Sequence, residues 1–374
     1  MDAVRGRRYL RRVDALADLR TQTAWYYSSF SALDRYFGRS EQPVVHITIE
    51  GDLIALARGV PELEFPGVRH ADAAVWDGER RVYFRCIEPE SKPPQQAFRP
   101  LNLMYDPIRE RFIDPYDDYR SLRAPHLEPT DEVYEPMHRL MDAAIALARY
   151  PHVLASELVP VSHFPEVSPE TLRSLLAQVL TGPFPEEGLQ LLDEHGFIDA
   201  YFPELTRMKG TAHSKEHHPE GDVWNHSLET FRYRRSHDLR LTLGLLLHDS
   251  GKPLAVPKAG RRFDGHSEIG ARLVGRLLRR LGFEEQLVDD VHWLVSKHMF
   301  PGALQALPTF RTERLMADER FPVLLELYRC DLESTYRGPE GYYRACKIYR
   351  DFMRHRSNPY RSADGKKLVR LYVD

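Results

Sequence analysis

The chain has 374 residues, enough for two or three domains at roughly 150 residues each. Its 52 Lys+Arg against 55 Asp+Glu leave a formal charge of −3, which excludes a strong global field for nucleic acid or anionic membranes and leaves only local basic patches. A hydrophobic fraction of 42% with 11% aromatics excludes a disordered chain.

Residues 1–130 read as mixed α and β. RRYLRRVDALADLR and AWYYSSFSALDRYFG carry helix-spaced apolar residues, while VVHITI and RVYFRCI read as short strands. DPIRERFIDPYDDY reads as a turn between short strands. From Asp131 the pattern is helical: MHRLMDAAIALARY, SPETLRSLLAQVLTG with Ser168 as N-cap and Pro169 at the first helical position, and PEEGLQLLDEHGFIDAYF. A polar loop, Lys209–Gly221, precedes a second helical block with LRLTLGLLLHD, EIGARLVGRLLRRLG and FPVLLELYRCD. No aliphatic run approaches the ~20 residues of a bilayer span. The opening MDAVRGRRYLRRVD has no apolar stretch behind its basic residues, so it is not expected to be a secretory signal. Cys86, Cys330 and Cys346 form no CxxC pair, which excludes a thiolate zinc finger and suits a cytosolic location.

The second helical block holds His226, the dyad His248-Asp249, His266, His298 and Asp331 in that order. A lone His or Asp on an apolar helix is usually a hydrogen-bonded core or surface residue. The ordered set is different, because cysteine-free metal sites are assembled from several helices in this way. LTLGLLLHDSGKP delivers His248 and Asp249 at the end of a buried helix, which Ser250-Gly251 then breaks. A site of imidazoles and carboxylates without thiolate suits Mn, Ni, Co, Fe, Mg or Zn, as one ion or two. Lys252 is placed to hold a phosphate oxygen. His292 lies six residues before His298, about 120° away around a helix, so His298 alone is expected at the site. Arg261-Arg262 and Arg272 read as a solvated helix face, and His217 and His218 as weaker pocket candidates.

EHHPEGDVWNHSLET, LLLHDSGKP and FDGHSEIGARLV resemble the HD-domain metal phosphohydrolases, in particular the HD domain attached to bacterial tRNA nucleotidyltransferases and poly(A) polymerases. The resemblance covers residues 209–335 and implies that His226, His248, Asp249 and Asp331 hold a first ion. It further implies that His266 and His298 hold a second, with Asp249 between the two. Ser250 departs from the Leu or Ile of the family. The resemblance implies metal-dependent phosphomonoesterase or phosphodiesterase activity on nucleotides, cyclic nucleotides or RNA ends, with Asp249 and Lys252 in the catalytic roles.

Upstream, FSALDRYFGRSEQPVVHITIEGDLIALAR resembles the nucleotidyltransferase head of the same family, with its chemistry replaced. The glycine positions fall on Phe30 and Ser31, the Arg-Asp pair on Asp34-Arg35, and the metal-binding aspartates on Val44 and His46. Gln95-Gln96-Ala97-Phe98-Arg99 stands for a further charged string, and His138, Met141 and Ala144 for nucleotide-contacting arginines. Valine cannot coordinate a cation, and one imidazole does not replace two carboxylates around Mg²⁺. The tail from Tyr342, rich in Arg, Lys and Tyr, could bind RNA by phosphate contact and stacking, although such a mixture is more often a solvated helix.

The expected fold is α+β and mainly α. It comprises a degenerate nucleotidyltransferase-like head (1–130), a helical neck (131–208), an all-helical HD domain (209–340) and a helical tail (341–374). The expected function is divalent-metal phosphohydrolysis at the HD site with an inactive head. Its expected partners are a nucleotide or phosphate-ester substrate, with RNA as a further candidate, and no membrane. The sequence leaves two alternatives: a tRNA nucleotidyltransferase or poly(A) polymerase still adding nucleotides to RNA 3′ ends, or a non-catalytic nucleotide- or RNA-binding module.

Overall fold

The computed structural model describes residues 23–39, 43–66, 71–77, 80–211, 221–256, 263–336, 338–356 and 366. The expected helix over RRYLRRVDALADLR, the His217-His218 pair and Arg261-Arg262 lie outside the described residues. The chain divides into two compact units, one of residues 1–164 with 174–182 and one of residues 165–173 with 183–374. The expected class holds: a small mixed sheet at the front and helices behind.

The first unit is built on six strands: β1 (Trp25–Ser28), β2 (Val44–Glu50), β3 (Ala73–Trp76), β4 (Arg81–Ile87), β5 (Met104–Asp106) and β6 (Arg111–Ile113). Their order is β3-β4-β2-β1-β5-β6. Within this sheet only β2 and β4 run parallel, with His46 opposite Tyr83, and its other pairs are antiparallel; a separate short parallel pair joins His126–Leu127 to Val153–Leu154. AWYYSSFSALDRYFG is therefore not one helix. Trp25–Ser28 pair with β2, Trp25 opposite Ile49, and helix α1 begins only at Ser29 (Ser29–Tyr36). Four residues rich in aromatics gain more from a sheet partner than from one helical turn. DPIRERFIDPYDDY does form the expected turn, between β5 and β6.

Strand alternation splits β2 between two faces. Val45, Ile47 and Ile49 pack with Trp25, Val75, Phe84 and Leu56 of the following helix α2 (Leu53–Gly59). Val44 packs on the other face with Tyr83 and Ala74. Helix α3 (Pro136–Arg149) closes this unit by an ion pair: buried Arg149 grips both oxygens of Asp34 at 3.1–3.2 Å. The Tyr150 hydroxyl donates to the same carboxylate at 2.9 Å, and Arg149 Nη1 donates to Thr181 Oγ1 at 3.1 Å. Thr181 follows helix α4 (Pro169–Leu180), whose N-cap is Ser168: its hydroxyl accepts from Thr171 N at 3.2 Å.

The second unit is helical. PEEGLQLLDEHGFIDAYF folds as α5 (Pro185–Glu194) and α6 (Phe197–Tyr201), separated where Gly196 takes a left-handed φ of 77°. After α7 (Pro203–Thr206) come the site-bearing helices α8 (Val223–Thr230) and α9 (Leu239–Leu247), then α10 (His266–Arg280) and α11 (Glu285–Lys297). The short α12 (Phe300–Ala303) and α13 (Thr309–Met316) lead to α14 (Phe321–Glu333) and α15 (Glu340–His355). Helix α9 is buried from Leu241 to Leu247 and capped by Asp238, whose Oδ1 accepts from Arg240 N and Leu241 N. Helix α10 buries Gly270, Val274, Leu277 and Leu278, the i, i+4, i+7, i+8 stripe of a helix facing a core. Among the described residues, no helix is long and apolar enough to cross a membrane.

Candidate metal centre

Five helices bring side chains to one point. Helix α8 carries His226 in its middle, α9 runs out into His248 and Asp249, α10 opens on His266, α11 runs out into His298, and α14 carries Asp331. The structure brings these six side chains into two adjoining groups, His226–His248–Asp331 and Asp249–His266–His298, with ligand atoms within 4.8 Å of one another in each. In the first group His226 Nε2 lies 3.1 Å from Asp331 Oδ1 and 3.3 Å from His248 Nε2. In the second, His266 Nε2 lies 3.1 Å from His298 Nε2. Asp249 stands between them: Oδ2 is 3.3 Å from His248 Nε2, while Oδ1 is 3.5 Å from His266 and 3.7 Å from His298.

The backbone sets the imidazole tautomers. His248, His266 and His298 each have Nδ1 within 2.7–2.9 Å of the carbonyl three residues earlier, at Leu245, Phe263 and Val295. Only a protonated Nδ1 donates there, so Nε2 carries the lone pair that faces the cluster. Lone pairs at this spacing repel unless a proton or a cation lies between them. Burial disfavours the proton: it pushes the fully enclosed His298 down to about 4 and also lowers His266. Burial alone would raise Asp331, but the hydrogen bond from His226 and the nearby His248 outweigh it and hold this carboxyl well below the usual range. Neutral imidazoles and an ionised carboxylate are the forms that ligate metal. Ligand atoms about 2.0–2.2 Å from an ion stand roughly 3 Å apart, so the donor set fits a divalent cation with little movement.

Lys252 lies at the site, its ammonium paired with Asp249 Oδ2 and 5.6 Å from the Phe263 ring centroid. His292 is exposed on its helix, as the spacing argument expects, and Arg272 is exposed on α10. Gly251 and Ser250, read from the sequence only as a helix break, also shape the site. A Cβ at Gly251 would sit 2.0 Å from His266 O and 2.5 Å from Gly270 N, so glycine is what lets the α9 terminus touch α10. Ser250 Oγ is buried beside Asp249 with no hydrogen-bond partner among the described residues. The Ser250-Gly251 break signalled a helix end; nothing in it signalled a helix contact.

In the front unit a small cavity of about 20 Å³ is lined by Ser29, His46, Thr48, Tyr83, Gln96 and Asn102, among others. The His46 ring stacks on Tyr83 with centroids 5.7 Å apart, and His46 N donates to Ser31 Oγ at 2.9 Å. The left-handed residue at the strand–helix turn is Ser29, φ 51°, one position before the Phe30-Ser31 pair expected in the glycine places.

Residues 223–330 match the HD domain family. The chain is 32% identical over 247 residues to a CC-adding tRNA nucleotidyltransferase of Thermus thermophilus, covering 63% of this chain and 52% of that protein. It is 29% identical over 256 residues to a multifunctional CCA protein of Halorhodospira halophila, covering 64% and 62%. The matched stretch thus spans between half and two thirds of these relatives. A crystal structure of the Bacillus stearothermophilus CCA-adding enzyme with CTP shares the fold: TM-score 0.54 at 16% identity, over 91% of this chain and 81% of that one. The expected resemblance, an HD domain behind a nucleotidyltransferase-type head, is confirmed. The expected activity is not. Relatives named for adding nucleotides to tRNA overturn the reading of the chain as a phosphohydrolase with an inactive head.

Proposed function

We propose that the chain adds nucleotides to the 3′ end of a tRNA-class RNA in the cytosol. The observation that carries this reading is its 32% identity over 247 residues to a CC-adding tRNA nucleotidyltransferase. On this reading the head takes the nucleotide beside β2 and β4, where the hydroxyls of Ser29 and Thr48 and the amide of Gln96 line a small polar cavity. His226, His248, Asp249, His266, His298 and Asp331 hold one or two divalent cations, drawn from Mn, Ni, Co, Fe, Mg and Zn. A cation there would supply Lewis-acid polarisation of a phosphate oxygen. Asp249, with one oxygen toward each group, positions the two sets relative to each other.

A specific observation favours a second reading, in which the head binds RNA or nucleotide without transfer. Phosphoryl transfer relies on carboxylate-held Mg²⁺ to neutralise the charge developing on the phosphates. On β2 the expected carboxylate positions hold Val44 and His46, and His46 is stacked on Tyr83. The two readings separate in one assay. The purified full chain is incubated with Mg²⁺, labelled CTP or ATP, and a tRNA transcript lacking its terminal nucleotides. Extension of the transcript supports transfer. Retention of the transcript without any extension overturns it in favour of the binding module.

A further inference from the structure

The first unit holds another cavity, of about 160 Å³, that the proposed reaction does not use. Arg35, Arg39, Arg80, Tyr27, Ser31 and Asp34 line it, over the start of β2. None of these three arginines lines the cavity beside His46 and Thr48. Tyr27 stands opposite Ile47 in the sheet and packs against the cluster of Val45, Ile47 and Ile49. Strand alternation turns that face of β2 away from His46 and Thr48, so the two cavities belong to different faces of one strand.

The charges around it do not cancel. Asp34 is neutralised by Arg149 at 3.1–3.2 Å, and Arg80 is paired with Asp77 at 3.5 Å. Arg35 and Arg39 make no ion pair among the described residues. The Arg35 guanidinium lies 4.3 Å from the Tyr27 ring centroid and 5.2 Å from that of Tyr105. A guanidinium held over rings keeps its in-plane N–H groups for an acceptor. Arg39 Nε is buried with no hydrogen-bond partner among the described residues, an arrangement that costs free energy unless an acceptor meets it. Ser31 Oγ accepts from His46 N at 2.9 Å, so its own proton can go to a further acceptor. These donors call for an acceptor that carries negative charge. The cavity lies below the roughly 300–1,000 Å³ of pockets for larger ligands, which excludes a whole nucleotide and suits a compact anion.

We propose that this cavity is a binding site for a compact phosphoryl anion, inorganic phosphate or diphosphate. Arg35 and Arg39 grip its oxygens, since planar guanidinium forks match phosphate oxygens two at a time. Ser31 donates a further hydrogen bond, and Arg80 adds positive charge. The site rests on the head's own geometry and stands whether or not the chain extends RNA. The test uses the full chain, stripped of metal by a chelator and then dialysed, so that the His and Asp cluster holds no cation to attract phosphate. Equilibrium dialysis against labelled phosphate, and in a separate arm against labelled diphosphate, should give saturable uptake. Arg35→Gln and Arg39→Gln should each weaken that uptake at least about tenfold, the loss of one charge-assisted contact, and a melting curve checks the fold of each. Arg35 is exposed, so Arg35→Gln carries the test alone if Arg39→Gln melts early. Arg111→Gln, at an exposed position on β6 outside the cavity, is the control and should bind as wild type does. Tighter uptake of diphosphate points to the by-product that nucleotide addition would release, and equal uptake to free phosphate; both support the site. Wild-type protein that takes up neither anion saturably overturns it. So does an Arg35→Gln protein that binds as tightly as wild type, or an Arg111→Gln protein weakened as much as Arg35→Gln.

Discussion

Gly251→Ala tests the way the second unit builds its cluster. Gly251 has φ −83° and ψ −15°, a right-handed conformation that alanine adopts freely, so any loss is steric. The added carbon would lie 2.0 Å from His266 O, 2.5 Å from Gly270 N and 3.0 Å from Gly270 Cα. All three are backbone atoms of α10 and cannot rotate aside, so ordinary contact near 3.4 Å requires the start of α10 to retreat by more than an ångström. His266 opens that helix, and its Nε2 stands 3.1 Å from His298 and 3.5 Å from Asp249, so the same movement opens the second ligand group. Overpacking of this kind costs about 3 kcal/mol, which lowers the melting temperature of a unit this size by roughly 6–12 °C. Calorimetry of the full chain and equilibrium dialysis against Mn²⁺ should show both effects, a lower melting temperature and weaker metal retention. Gly51→Ala, where the added carbon meets nothing closer than 3.8 Å, is the neutral control. A Gly251→Ala protein that melts with wild type to within about a degree and retains as much Mn²⁺ would refute the reasoning.

Two further outcomes follow from buried charge. Arg149→Met leaves Asp34 buried without its guanidinium and should cost about 3–5 kcal/mol in urea unfolding. Asp34→Leu added to it should restore part of the loss, and a double variant that loses the sum of the singles would contradict the pairing. The cation-free second unit should lose stability as pH falls from about 6.5 toward 4. His298 is held at about 4 and His266 below its ordinary value, so the unfolded chain binds more protons than the folded one in that window. The depressed Asp331 carboxyl acts in the same sense further down the scale, since its contribution is present above the usual carboxylate range and lost on acidification. Urea midpoints for His298→Asn, compared with wild type across pH, should show a flatter profile in the variant; parallel profiles would sink this assignment.

Helical periodicity was legible wherever one face is buried over several turns, as in α9, α10, α11 and α14. The strand Trp25–Ser28 was not, because its four residues run into α1 without a break and owe their conformation to β2, some twenty residues away. The six ligand-type residues were legible from their order, since each stands at a helix end or on a buried face. Their division into two groups around Asp249 was not, because it depends on which carboxylate oxygen faces which imidazole. Nor was the contact that Gly251 permits, which is a property of α10 as much as of the glycine. The activity was misread for a related reason. Val44 and His46 show what one strand lacks, and from that a whole head was inferred to be silent; similarity spread over 247 residues points the other way.

The most direct measurement is the mass of a tRNA transcript, cut back at its 3′ end, after incubation with the purified chain, Mg²⁺ and unlabelled CTP and ATP. Nucleotide transfer predicts discrete mass gains of whole nucleotide residues at that end. A transcript that comes back at its starting mass, while still binding the protein, would contradict it.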